Sequence, residues 1–384
     1  MKKAAAILVT ALAVILLAVF CRAENGGTEY TLSDDGTYYI LSKYGGNEPE
    51  VKIEKRYNGL PVAAIAKDAF SGNISTYKIV IPDSIENIEP GAFSAMPSLH
   101  EFEAEGNYTA QNGALYTKDG KTLVRYPQAA EGEFTVPDGA AIGAHAFSGS
   151  KLSYVDARGA VSVGEYAFYR SDVSAIDFSD RLSAVSAHAF EYSSLYSVVI
   201  PGAATVSQYA FSRCEYLVYA ELRNAKLDGE GVFYGDTSLV AVGFPDNATT
   251  VPALTFAGCT SLVSAPTGKN TKSLGDRAFY GCTALQYAPG GMTKGSETFG
   301  LCDGLTEQSG GRSAISGAPS LIEIKPAQTY GLKLTASGGY DIMTDTHLLS
   351  VNGSAITALF EGETVIYAVS RRGGDCAAIT VRIS

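Results

Sequence analysis

Hydrophobic positions in this chain recur with the period of a coil, longer than any helix or strand repeat. Phe70, Phe93, Phe147, Phe168, Phe190, Phe211, Phe233, Phe256, Phe279 and Phe299 follow one another at steps of 23, 54, 21, 22, 21, 22, 23, 23 and 20 residues. A small residue precedes each ring, alanine in seven cases and Val232, Thr255 or Thr298 in the others. Five positions upstream stands an aliphatic in most units (Ile65, Ile88, Ile142, Val163, Val185, Val206, Val251, Leu274), and a leucine follows five or six positions downstream. After that leucine the chain alternates briefly, as in SYVDA, YSVVIP and VYAEL, the signature of a short strand with one buried face. Self-similarity at such a period predicts a stack of units, each too small to bury its own apolar side.

The 54-residue step holds two coils plus an insertion near residues 105–130, in which ALYTKDGKTLVRYP alternates on both sides of Asp119-Gly120 and predicts a hairpin. Leu227 stands one residue off register before Phe233, and Lys294 occupies the aliphatic slot before Phe299, which marks the last coil as a degenerate cap. Residues 24–60 read as strands around a Ser33–Gly36 turn, a lid for the apolar end of the stack.

IPDSIENIEPGAFSAMPSL, VPALTFAGCTSL and the inserted NGALYTKDGKTLVRYP resemble the BspA-like, treponemal-type leucine-rich repeats of bacterial surface proteins, over roughly residues 51–308. The resemblance implies a mainly β solenoid, a right-handed superhelix of about ten to eleven coils spanning 61–308. Beyond a Gly/Ser/Ala-rich linker at 309–319, residues 320–384 alternate in short runs that predict a small all-β sandwich. LLSVNGSAITALFEGETVIYAV there resembles the group 2 bacterial immunoglobulin-like domain.

Residues 1–23 have the form of an export signal, with Lys2 and Lys3 ahead of an apolar run. Three exits stay open: lipidation of Cys21, which would tether the chain to a membrane, cleavage after Ala23 with simple secretion, or an uncleaved anchor. The expected location is the cell surface or the outside medium. A net charge of −11 excludes nucleic acid as the expected partner, because phosphate contacts need clustered cations.

Cys214, Cys259, Cys282 and Cys302 each lie three residues after a repeat phenylalanine, a slot filled by Ser150, Ser171 and Ser193 in other coils. The slot wants a small side chain, so buried free thiols are expected, with a Cys259–Cys282 or Cys282–Cys302 bridge or a metal as the alternatives. The four histidines are scattered, and no His-Glu-x-x-His, Gly-x-Ser-x-Gly or phosphate loop occurs. His145 and His188 read as turn residues of their coils, and Asp341, Asp345 and His347 as a solvated loop. No catalytic residue, cofactor or metal is expected.

In leucine-rich repeats the residues flanking the central apolar strand position face the concave side. That places Lys78, Glu101, Glu103, Tyr154, Asp156, Asp177, Tyr219, Glu221 and Tyr287 on one surface, acidic in its first half with tyrosines interleaved. Tyrosine brings contact area and a hydroxyl at low entropic cost. The expectation is a non-catalytic, adhesin-like module that binds a protein through Glu101, Glu103, Tyr154, Asp156, Asp177, Tyr219, Glu221 and Tyr287. The resemblance implies a host matrix protein such as fibronectin or fibrinogen, or another bacterial surface protein. A scaffold role in the cell envelope, or a polysaccharide-acting enzyme using Asp156 and Asp177, are the alternatives.

Overall fold

The structure, a computed structural model, describes residues 27–308, 315–336, 339–344, 348–371 and 375–384. Cys21 and the rest of the stretch read as an export signal, the start of the linker, Asp345 and His347 lie outside the described residues. The chain divides into two compact units, 1–130 and 131–384. The described residues contain strands and turns and no α-helix.

In the first unit, Glu29–Leu32 and Tyr39–Lys43 form an antiparallel hairpin, and Leu41 reaches the parallel strand Leu60–Ile65. The Ser33–Gly36 turn is closed by the Ser33 hydroxyl, which donates to Asp35 and accepts from two backbone N–H groups. A concave row of parallel strands begins at Glu50–Lys52, within the stretch read as a cap, and continues through Lys78–Ile81 to Glu101–Ala104. The insertion is a three-stranded antiparallel meander, Tyr108–Gln111, Ala114–Thr117 and Thr122–Arg125. Its second turn uses Asp119-Gly120. Its first uses Asn112 and Gly113, both at positive φ as a tight hairpin turn requires.

The second unit carries the regular coils. The upstream aliphatics form very short parallel strands whose register runs Ile142, Val163, Val185, Val206, Leu227. Leu227 therefore pairs in register, and its extra residue is absorbed on the way to Phe233, where Gly229 and Gly231 both take positive φ. Lys294 pairs with Leu274 yet stays exposed, so the last coil is open where the others are sealed.

Inside the stack the repeat phenylalanines lie ring over ring, with centroids 4.7–5.7 Å apart from Phe147 to Phe299. Each ring contributes roughly 1.5–3 kcal/mol by leaving water. The small residue before the ring has a structural cause. The backbone N–H of Phe147, Phe168, Phe190 and Phe211 donates to the carbonyl of Ala167, Ala189, Ala210 and Val232 in the next coil, at 2.7–2.9 Å. That neighbour is sealed between coils and has no room for a long side chain.

Two left-handed residues flank most rings. Two positions before the phenylalanine, Asp68, His145, Tyr166, His188, Tyr209, Leu254, Arg277 and Glu297 have φ between 49° and 59°. Two positions after it, Ala95, Arg170, Tyr192, Arg213 and Leu301 have φ between 51° and 60°, with glycine in other coils. This conformation is costly for residues with a Cβ and persists because each coil is clamped by its neighbours. The clamp includes a second aromatic column, His145–Tyr166–His188–Tyr209, with centroids 4.8–5.4 Å apart.

The cysteine slot explains itself similarly. Cys214, Cys259, Cys282 and Cys302 are free and buried, and each Sγ–H donates to the carbonyl of the phenylalanine one coil earlier, Phe190, Phe233, Phe256 and Phe279, at 3.0–3.1 Å. One coil puts a carboxyl there. Asp236 is fully buried, its Oδ1 accepts the Cys214 backbone N–H at 2.8 Å, and burial pushes its pKa well above the usual carboxylate range.

Residues 315–384 form two sheets, one of four strands (Leu321–Ile324, Tyr340–Met343, Gly362–Ser370, Cys376–Ile383) and one of three (Thr329–Gly331, Leu349–Asn352, Ala355–Ala358). A common core of Ile322, Ile324, Ile356, Ile366, Ile379 and Val381 joins them into a sandwich.

Candidate functional site

The strands of this row project alternate residues outward, and the expected site residues fall in three separate groups with Tyr287 apart. In the first unit Glu101 and Glu103 do not present bare carboxylates. Both pair with Lys78 on the adjacent strand, Glu101 at 3.3 Å, and Lys78 is held largely against the sheet with 19% of its side chain exposed. The hydrogen bond that Lys78 donates to Glu103 raises the lysine pKa.

In the second unit Tyr154–Ala157 lies beside Ala175–Phe178 in parallel register, with Asp156 opposite Asp177. The Tyr154 hydroxyl donates to Asp177 Oδ2 at 2.8 Å, which raises its own pKa. Asp156 accepts from Arg158, Nε to Oδ1 at 2.8 Å and an Nη to Oδ2 at 2.5 Å, and this forked pair holds the carboxyl below its usual range. The Arg158 side chain stays 65% exposed. A carboxyl held ionised by a guanidinium is a poor general acid, so Asp156 is not suited to protonating a leaving group.

Three coils further on the same local pattern returns, YAELR against YVDAR. Tyr219 donates to Glu221 at 2.7 Å, and Glu221 accepts from the Arg223 backbone N–H at 3.0 Å and from its Nε at 3.3 Å. Here the expectation of an open surface is corrected. Tyr219 is only 6% exposed, because the C-terminal sandwich sits on this part of the row. Val218, Tyr219 and Ala241 pack with Tyr367, Val369 and Cys376. Arg223 pairs with the buried carboxylate of Asp375 at 3.2 Å and donates to the Cys376 carbonyl, while the Ser264 hydroxyl donates to the Ser370 carbonyl at 3.1 Å. A groove of about 510 Å³ remains beside this contact, lined by Val199, Glu221 and Pro319 among others. Tyr287 lies further along, half-buried and paired with Thr306.

Sequence reasoning placed Lys78 on this face without counting it in the site, and missed Arg158 and Arg223. The signal was present as a tyrosine, an acid and an arginine at alternate positions in two coils. Only the docked sandwich shows what such a clamp holds: a carboxylate and an adjacent main-chain carbonyl. Among the described residues no group of histidine, cysteine, aspartate and glutamate is arranged to hold a metal ion, and no helix is long and apolar enough to cross a membrane.

Comparison with known proteins bears on the repeats. A family profile for the BspA type leucine-rich repeat region matches in six copies, over residues 53–123, 133–218 and 229–307, more than half of the chain. Among solved structures, a leucine-rich repeat protein from Eubacterium ventriosum is 19% identical, with 73% of this chain and 94% of that chain covered and a TM-score of 0.43. A leucine rich cell surface protein from Faecalibacterium prausnitzii is 20% identical (74% and 93% covered, TM-score 0.34). The pneumococcal vaccine antigen PcpA is 15% identical (65% and 59% covered, TM-score 0.43). No curated protein matches the chain.

Proposed function

We propose, from the premise that this chain belongs to the BspA-type leucine-rich repeat family, that it is an exported, non-catalytic protein-binding module of the cell surface. Its ligand is a protein of the matrix or of a neighbouring cell, captured at Tyr154, Asp156, Arg158 and Asp177. In this reading residues 1–23 direct export, Cys21 carries the lipid anchor, and the C-terminal sandwich is a bacterial immunoglobulin-like domain.

The observation that carries the proposal is the repeated clamp. At Arg223 the tyrosine–acid–arginine arrangement grips a β-structured segment through the Asp375 carboxylate and the Cys376 carbonyl. At Arg158 the acid–arginine part of the arrangement returns with its guanidinium exposed, while Tyr154 donates to Asp177 of the next coil. A partner presenting an acidic side chain next to a strand end fits it, because the guanidinium fork is oriented before the ligand arrives and little side-chain entropy is lost on binding.

The test is surface plasmon resonance with immobilised fibronectin and fibrinogen. Arg158→Ala and Tyr154→Ala should each weaken capture at least tenfold while leaving the far-UV spectrum unchanged. Binding that ignores both substitutions moves the site off this row, and no binding to either protein removes the matrix class. Mass spectrometry of the mature N-terminus tests the anchor: an acyl group on Cys21 supports it, and a chain beginning at Glu24 refutes it.

A further inference from the structure

Away from the concave row, the turn that follows each phenylalanine carries a second built surface. Five side chains alternate there, Tyr169, Arg170, Tyr192, Arg213 and Tyr234, drawn from successive coils. Arg170 lies 5.3 Å from the ring centre of Tyr169 and 5.4 Å from that of Tyr192; Arg213 lies 5.4 Å from Tyr192 and 5.5 Å from Tyr234. Each guanidinium is sandwiched between phenol rings, so its plane is held and its N–H edges are free to point outward. In a chain of net charge −11, Arg213 forms no ion pair among the described residues.

Next to this column opens a trough of about 610 Å³, with Arg213 at one end and Arg277 and Tyr280 at the other. Arg277 is itself paired with Glu297, and Glu215 lines the wall. The floor is made by one slot of the repeat. Two residues after the phenylalanine the chain holds Tyr192 and Arg213, then Gly235, Gly258 and Gly281, all left-handed. Glycine is the cheapest resident of this conformation but not the only one, since Tyr192 and Arg213 hold left-handed φ of 60° and 56° in adjacent coils. A Cβ on Gly258 or Gly281 would meet only ordinary contacts, at 3.5 Å and 3.9 Å. Three consecutive absent side chains therefore clear a channel across three coils.

We propose that this trough binds a glycan bearing carboxylates, a uronate-type oligosaccharide, with Arg213 receiving a carboxylate and Tyr234 and Tyr280 receiving sugar hydroxyls. Guanidinium matches carboxylate geometry side-on, which an ammonium does not. The trough offers phenol hydroxyls, cations and exposed main chain, and its apolar lining comes from Tyr192, Tyr234 and Tyr280 together with Leu254 and Ala257. A phenol presents an apolar ring and a hydrogen-bonding tip together, which suits the apolar face and the hydroxyls of a sugar ring.

The test is calorimetric titration of the full chain with oligogalacturonate, with neutral dextran oligosaccharide and polyglutamate as controls. Oligogalacturonate should bind, dextran should not, and polyglutamate should bind at least tenfold more weakly. Arg213→Ala and Arg213→Lys should both lose at least tenfold in affinity, and Gly258→Tyr, which borrows a residue the slot already accepts, should block the trough with the far-UV spectrum unchanged. No binding of oligogalacturonate overturns the proposal. So does equal binding of polyglutamate, or an affinity untouched by Gly258→Tyr. Arg158→Ala should leave this titration unaltered, which separates the trough from the concave row.

Discussion

The rings of Tyr219 and Tyr367 meet at 5.0 Å between centroids and 30° between planes, one from a repeat strand and one from the C-terminal sandwich. The contact turns a residue expected to face a ligand into part of an internal seam. The seam is made of a few apolar side chains with Arg223–Asp375 at its edge.

Tyr367→Ala empties a buried site and should cost about 3–5 kcal/mol, of which the aromatic pair accounts for about 0.5–1.5 kcal/mol. Asp375→Ala should cost less, about 1–3 kcal/mol. That is less than a fully buried pair, because Arg223 keeps a third of its side chain in water. Hydrogen exchange of Tyr219–Glu221 should accelerate in both variants, and unchanged protection would show that the seam does not depend on these groups.

Phe190→Ala removes a ring stacked at 4.7 Å on Phe168 and at 5.2 Å on Phe211. The hole should cost about 3–5 kcal/mol in denaturant unfolding. A loss below about 1 kcal/mol would mean that adjacent coils close the gap.

Asp236 gives stability a pH dependence with a definite sign. Its unfolded carboxyl titrates near 3.8 and its folded one well above, so the folded state holds the extra proton between the two. The stability this group supports is full below the unfolded value and is lost as pH rises through the folded one. Asp236→Ser, a residue the slot carries in three other coils, should be more stable than the parent near neutral pH. Its advantage should shrink as pH falls toward about 4. Paired melts at several pH values check this, and a gain constant with pH would refute it.

The thiols should be inert in the native state. Burial raises the thiol pKa of Cys214 and Cys259, and their sulfurs are spent on carbonyls. Ellman's reagent should react slowly until the chain unfolds, with Cys302, which is 8% exposed, reacting first of the ladder. Cys259→Ser should cost no more than about 1 kcal/mol, because a hydroxyl can donate to the same Phe233 carbonyl. Fast labelling of all four would contradict the ladder.

Much of this was legible in the residues alone. A phenylalanine every 20–23 positions, with a small residue before it and an aliphatic five earlier, dictates a stacked coil, because burial follows period and side-chain size, both of which are local. The hairpin at Asp119-Gly120 and the small-residue slot of Cys214 and Ser150 follow for the same reason. Other features belong to the assembled molecule. That Glu101 and Glu103 spend their charge on Lys78, that Asp236 is sealed between thiols, and that Tyr219 is covered while Tyr154 is open all depend on which strand lies beside which. The coil period orders neighbours along the stack. It carries no information about where a separate sandwich will rest, since a docking seam is chosen by shape and charge between surfaces far apart in the chain.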